Sequence, residues 1–328
     1  MPKYLEEYKK AISGQLLFIA CREGLLRNYL SEIISDLKFV IRQNSKVIFF
    51  HNIPKSFAND KILSLIKNKL YLAEIVRVPN TVGFYDFVLN YRRNIYKIIF
   101  LERNYLLNTE GMKISTLTTK KALERFEEYG HLIANQNFKK NIELICKKVQ
   151  EGIIDRVFII PAGKNMIKRE LFTLEGSGTL ITNNFIIDFC RAKSKKELTV
   201  VSGILKSYKK DGFLKYRSEN YKNEFYMAKI DNIIVGCIEA IKINSLSVEL
   251  GGLAVSFKYL NQEVGIFLIN SFINQMKREN FNKVISLTNN PKLKNIYLSL
   301  GFKQESPIEF KERQKESPKV NMFVKNIN

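Results

Sequence analysis

The chain has 328 residues, 45% of them hydrophobic, and a formal net charge of +21. That length favours two domains over one, and the apolar share is enough for real cores. No run approaches the roughly 18 consecutive apolar residues of a membrane span, and Cys21, Cys146, Cys190 and Cys237 lie far apart without a CxxC, which argues against a metal site or a disulfide framework and for a reduced, cytoplasmic setting.

The opening MPKYLEEYKK mixes acids and bases without an apolar stretch and is not read as a signal peptide. Strand-like apolar runs follow at 16–21 (LLFIAC), 46–52 (KVIFFHN), 96–102 (YKIIFLE) and 156–161 (RVFIIP). Helical patterns separate them, over 27–43 and over 139–152, where Ile142, Ile145 and Val149 share one face and Gly152 is placed as a stop. Alternating strands and helices predict an α/β layer on a largely parallel sheet. The polar stretch TNNFIIDFCRAKSKKE (182–197) is read with a helical centre, and the domain boundary is placed near 185–197, with domains at 1–190 and 197–328. Beyond it, 225–243 reads as a hairpin turning at Asp231-Asn232. A strand (247–256), an amphipathic helix (265–280), a strand (283–289) and a short helix ending at Gly301 complete the pattern.

The lysines are spread over every segment, and no compact basic block alternates with aromatics on one face; KSYKKDGFLKYR (206–217) comes nearest. Nucleic acid is therefore not the expected partner, nor is a membrane. With only His51 and His131, a histidine triad or zinc site has little to draw on, and no metal is expected.

Between strand 247–256 and the next helix lies FKYLNQEVG (257–265). Such a strand–turn–helix directs backbone N–H groups and the positive end of a helix dipole into one space, a place suited to a pyrophosphate. Gly265 would let a ligand approach the backbone closely. The order hairpin, ELGGLAV strand, Gln262-x-x-Gly265 loop, helix, SLTNN strand and IYLSLGF helix resembles the GNAT superfamily of acetyl-CoA-dependent N-acetyltransferases over 197–328. The family loop Q/R-x-x-G-x-G/A is met by Gln262 and Gly265, with Phe267 in the last position. The resemblance implies acetyl-CoA as cosubstrate, held by Leu253, Ala254, Val255, Gln262, Val264, Gly265 and Ile266, with the pantetheine arm added to the strand.

A second resemblance lies upstream. ELFTLEGSGTLI (170–181) is similar to the segment closing the amino-acid-kinase domain of N-acetylglutamate synthases and kinases, and DGFLKYRSENY (211–221) to the start of the synthase's acetyltransferase domain. Together the two imply a bacterial-type N-acetylglutamate synthase: a shortened amino-acid-kinase-like α/β sandwich followed by an α+β GNAT domain. The implied reaction is acetyl-CoA plus L-glutamate to N-acetyl-L-glutamate and CoA, the first step of arginine biosynthesis, in a homo-oligomer.

The kinase glycines are missing, however. Cys21-Arg22-Glu23-Gly24, His51-Asn52-Ile53-Pro54 and QNFKKN (136–141) stand in their places, so phosphoryl transfer is not expected. The resemblance offers Glu170, Gly176 and Gly178 as a site for an arginine effector, and a turn-shaping role explains them equally well. Glu249 matches the family glutamate that takes the amine's proton; the alternative is an outward-facing strand carboxylate. For the leaving thiolate, either Thr288 or Tyr297 would supply the proton, unless Tyr297 is simply packed. Arg217, beside Ser218, matches the arginine that forks onto the acceptor's carboxylate; the alternative is an exposed helix arginine. The family's C-terminal Arg/Ser anchor is absent in register, leaving Arg313, Ser317 or Lys319 to substitute. Two further readings remain open: a GNAT enzyme for another amino acid or amine, and a non-catalytic amino-acid sensor or partner-binding protein.

Overall fold

The computed structural model describes residues 5–91, 95–107, 111, 113–124, 136–173, 176–183, 185–209, 224–230, 232–260, 262–306 and 320–327. They fall into two compact units, Leu5–Phe185 and Ile186–Asn328.

The first unit runs α1 (Leu5–Ile12), β1 (Leu16–Cys21), α2 (Glu23–Asn28), α3 (Leu30–Ile41), β2 (Lys46–His51), α4 (Phe57–Lys69), β3 (Glu74–Arg77), α5 (Phe84–Asn90), β4 (Lys97–Glu102), β5 (Thr116–Thr118), α6 (Thr119–Glu124), α7 (Gln136–Gln150), β6 (Arg156–Pro161), α8 (Met166–Phe172) and β7 (Thr179–Thr182). Its seven strands order as β3-β2-β1-β4-β6-β7-β5. All neighbours are parallel except β6 and β7. Covered on both faces, the central strands must be apolar throughout. Accordingly β1 and β4 are buried almost end to end. Ile142, Ile145 and Val149 of α7 enter the same core, and Gly152 ends that segment at φ +71°, the left-handed region that glycine adopts freely. The helical pattern at 27–43 resolves into two helices, because Tyr29 (φ −127°) breaks the helical path between α2 and α3.

The second unit runs β8 (Asp188–Arg191), α9 (Lys195–Lys209), β9 (Glu224–Ile230), β10 (Ile233–Lys242), β11 (Ser247–Val255), a 3-10 turn (Phe257–Tyr259), α10 (Val264–Arg278), β12 (Lys283–Thr288), α11 (Pro291–Ser299), β13 (Lys303–Glu305) and β14 (Asn321–Asn326). The sheet order is β13-β14-β12-β11-β10-β9-β8. The stretch expected to have a helical centre is instead the strand β8, antiparallel to β9. Phe189 stacks on Tyr226 at 5.3 Å, and a cross-strand aromatic pair of this kind outweighs weak local helix propensity. The hairpin between β9 and β10 turns through Asn232 at φ +63°; Asp231 lies outside the described residues. Helix α10 buries Val264, Leu268, Ile269, Phe272, Ile273 and Met276 along one stripe, each contributing roughly 1.5–3 kcal/mol of apolar burial.

Candidate active site

The site begins with a fork. Strand β11 pairs in parallel with β12 from Ser247↔Lys283 to Leu250↔Ser286, and the ladder goes no further. Beyond that point β11 continues beside β10 as far as Val255, while β12 continues beside β14 as far as Thr288. A register shift opposite Cys237 and Glu239 accompanies the parting. Gly252 sits in it at φ +50°, where an added Cβ would come within 3.1 Å of the Glu239 side chain. Only glycine combines that backbone with that space.

Past the fork, β11 has backbone groups that face no strand among the described residues. The Ser256 N–H donates to the Val235 carbonyl at 2.7 Å. By strand alternation the N–H and C=O of Leu253 and Val255 then point away from β10, into the opening. Ala254, paired with Cys237, is buried. This is a strand edge ready for one further extended chain.

Helix α10 starts just beyond. Its N-cap, Glu263, is in the left-handed region (φ 61°) and provides no side-chain cap. The first-turn N–H groups of Val264, Gly265 and Ile266 are therefore not capped by that side chain, as an anion site requires. A Cβ on Gly265 would meet only Val255 Cγ2, at 3.9 Å; the glycine leaves room in front of the helix end. Gln262 is buried in the preceding turn, while Ile266 and Phe267 are half-buried.

Glu249, the third residue of β11, is only 1% exposed. The reading of it as an outward-facing strand carboxylate is corrected: flanked by Ile241 and Ile285 on the neighbouring strands, its side is interior. Glu239, 8% exposed, lies on the same face two residues along β10 from Ile241. Sequence reasoning passed over this second carboxylate, although an acid inside IIVGCIEAIK was the signal.

Tyr297 is 1% exposed and packs on Phe302 and Phe323. The Ser286 hydroxyl donates to its phenol oxygen at 2.9 Å and also lies 3.2 Å from the Leu250 carbonyl, at the fork itself. Burial pushes the phenol up to about 12, the Ser286 hydrogen bond opposes the shift, and the charge of Glu249 adds to it. Thr288 uses its hydroxyl as acceptor for the Asn290 N–H at 3.1 Å, and Asn290 in turn caps α11. Ser286 is a residue the sequence did not single out; only its register opposite Leu250 reveals it. Arg217, Ser218, Arg313, Ser317 and Lys319 lie outside the described residues.

In the first unit, Glu170 is 2% exposed and accepts from the N–H groups of Ser177 (2.6 Å) and Gly178 (3.0 Å). A Cβ on Gly176 would lie 2.9 Å from the Glu170 carboxylate, and one on Gly178 2.2 Å from the Ile159 carbonyl. The loop thus uses its own acid and both glycines to hold its shape. The topological switch point of this sheet lies between the C-terminal ends of β1 and β4, where open α/β sheets bind ligands. Here both carboxylate oxygens of Glu102 accept from Arg22, at 2.7 and 2.8 Å. Tyr85 donates to the same carboxylate at 2.7 Å and stacks on Phe100. Asn52 accepts from the Glu23 N–H at 2.7 Å.

Among the described residues, no group of three or more His, Cys, Asp or Glu is placed to hold a metal, and no helix is long and apolar enough to cross a membrane.

Residues 190–317 match the family model of the acetyltransferase (GNAT) domain. The second unit has the acetyltransferase (GNAT) fold. N-acetylglutamate synthase from Neisseria gonorrhoeae, complexed with coenzyme A and L-arginine, is 14% identical, with 99% of this chain and 98% of that one covered at a TM-score of 0.56. The same synthase complexed with coenzyme A and N-acetyl-glutamate is 15% identical over 99% and 98% of the two chains, at a TM-score of 0.46. An acetyltransferase from Streptococcus agalactiae is 17% identical over 43% of this chain and 98% of its own, at 0.36. No curated protein matches the chain. The first of these structural matches spans both units. The fold is an amino-acid-kinase-like α/β sandwich followed by an α+β GNAT domain.

Proposed function

We propose that the chain is an acetyl-CoA-dependent amino-acid N-acetyltransferase, with L-glutamate as acceptor and N-acetyl-L-glutamate and CoA as products. In a reduced cytoplasm this reaction would open arginine biosynthesis. The observation that carries the proposal is the fork: a strand edge with the outward backbone groups of Leu253 and Val255, a glycine-opened helix end beyond it, and a buried carboxylate where the strands part.

In this reading Leu253 and Val255 align the pantetheine arm as an extra strand, and the first-turn N–H groups of α10 take the pyrophosphate. Acetyl-CoA supplies the activated thioester. Glu249 takes the proton from the acceptor's ammonium, giving the neutral amine that attacks. Tyr297, a neutral phenol at pH 7 whose burial pushes its pKa up to about 12, supplies a proton toward the departing sulfur, with Thr288 as the alternative donor, and the second proton of the attacking nitrogen restores that donor. Ser286 positions the phenol. Arg217 and Ser218 hold the acceptor's carboxylate by a bidentate fork.

A second reading keeps the enzyme and changes the acceptor. Glu239 adds a carboxylate to the face that carries Glu249, where a dicarboxylic acceptor would bring two more negative charges. Following CoA thiol release across a panel of amino acids and amines tests both. Turnover with glutamate supports the first, turnover with another amine alone supports the second, and release with no acceptor sinks the acetyltransferase reading.

A further inference from the structure

Tyr208, in the last turn of α9, donates its hydroxyl to the carbonyl of Val255. That carbonyl points out of β11 into the opening, on the strand alternation fixed by Ser256 and Val235. The ring of Tyr208 stacks on Phe257, the first residue of the 3-10 turn after β11, at 5.2 Å and 15° between planes. The side chain is thus held from two sides, by its ring and by its hydroxyl, at the edge where an extended arm would add to the strand. An amide N–H laid along that edge needs the place in front of the Val255 carbonyl which the phenol now fills.

We propose that Tyr208 is the gate of the arm-binding edge: its hydroxyl stands in for the ligand's amide and is displaced when the arm binds. The inference rests on the acyl-CoA reading above and adds a residue that no part of that reading requires. In the free protein the tyrosine satisfies a carbonyl that would otherwise face the opening, and it keeps the edge from pairing with other extended chains. On binding, one carbonyl hydrogen bond is exchanged for another, and the Tyr208 side chain, ring and hydroxyl together, swings away from the Val255 carbonyl.

The exchange has a sign. A neutral hydrogen bond of this kind contributes about 0.5–1.5 kcal/mol to the free state. Removing it by Tyr208→Phe, which preserves the stacked ring, should tighten coenzyme A binding about 2- to 12-fold. Titration calorimetry on the full chain measures this with coenzyme A, and with adenosine 3′,5′-diphosphate as a probe that lacks the arm. The expected result is tighter coenzyme A binding by the variant and equal binding of the arm-less nucleotide. Phe257→Leu, which unseats the ring, should shift coenzyme A in the same direction. Unchanged or weaker coenzyme A binding by Tyr208→Phe overturns the gate, as does an equal shift for both ligands, since the effect would then not lie at the arm. A wild-type chain that binds no coenzyme A removes the acyl-CoA reading and the gate with it, an outcome distinct from an unchanged Kd.

Discussion

The two units treat the open ends of their central strands in opposite ways. In the first, the switch-point crevice between β1 and β4 is filled by the protein itself, with Arg22, Glu102 and Tyr85 satisfying one another. Burial first, and then the Glu102 charge, push the Tyr85 phenol well above its usual range. In the second, β11 and β12 part after Leu250 and Ser286, and a helix end and the outward edge of β11 face the gap, with a single hydroxyl, that of Tyr208, on the Val255 carbonyl among the described residues. Neither sheet geometry alone makes a site. What differs is which side chains reach the strand ends: Arg22 from the turn after β1, Glu102 of β4 and Tyr85 of α5 in one case, glycine and short apolar residues of β11 in the other. Under the function proposed above, the second unit would do the chemistry and the first would serve as a scaffold.

The sharpest way to break that contrast is at Glu249. Glu249→Gln should lower turnover by about 10²–10⁴-fold, the usual range for a lost general base, while coenzyme A affinity holds, because in the proposed mechanism the carboxylate acts on the amine. Steady-state rates with a parallel binding titration check this; an unaltered rate removes Glu249 from the chemistry. Arg217→Ala comes next. Loss of a bidentate carboxylate partner should cost roughly 2–5 kcal/mol, or about 30- to several-thousand-fold in kcat/KM for glutamate. The KM for acetyl-CoA should barely move, and lysine should rescue only in part because it lacks the fork. If the glutamate KM stays where it was, another acceptor gains ground.

The first unit offers the converse test. Arg22→Ala removes the partner of a carboxylate that stays buried. Breaking such a pair in a fully buried setting costs 3–5 kcal/mol. Because the Arg22 side chain is 43% exposed, about 1–3 kcal/mol is expected, read as a lower denaturant midpoint. Acetyl transfer should survive under native conditions. Neither form should release ADP from ATP with glutamate or acetylglutamate, since the phosphate-cradling glycines are absent; ADP formation would show that the crevice is a working site.

Much of this architecture was legible before any coordinates. Strand and helix periods marked β1, β2, β4, β6, β10, β11, α7 and α10, because fully buried strands and amphipathic helices write themselves into the sequence. The loop from Gln262 to Gly265 was legible for the same reason: its position between a strand and a helix is a local property. Three things were not. The strand β8 was read as helix, because the Phe189–Tyr226 stack that stabilises it joins residues 37 apart in sequence. Ser286 and Glu239 gain meaning only from register, opposite Leu250 and beside Glu249. The pairing of Arg22 with Glu102 spans 80 residues. The sequence reading found an absence of glycines there but not the ion pair that replaces them.

The smallest effect tests the start of the second unit, where β8 gives way to α9. Ser194 and Glu197 form a reciprocal capping box: the Ser194 hydroxyl accepts from the Glu197 N–H at 3.1 Å, and the Glu197 carboxylate accepts from the N–H groups of Ser194 and Lys193 at 3.0 Å. The same carboxylate meets Lys229 of β9 at 2.8 Å, tying the helix to the sheet. The Lys229 hydrogen bond first, then the backbone N–H groups against a small burial cost, hold its pKa down at about 2, from an ordinary 4.5. A depressed carboxylate stabilises the fold fully above its unfolded pKa, and that contribution is lost as pH falls from about 4.5 toward 2. Glu197→Ala should therefore cost about 0.5–2 kcal/mol at pH 7, as cap losses do, lowering Tm by a few degrees. It should also flatten the acid limb of the stability curve in that window. Tyr208 sits at the far end of the same helix, so the variant doubles as a check on the gate. A cap lost at the first turn leaves the last turn stacked on Phe257, and coenzyme A affinity at pH 7 should hold. Should affinity rise with Glu197→Ala as it does with Tyr208→Phe, the opening of the edge would reflect loosening of the whole helix and not the loss of one hydroxyl.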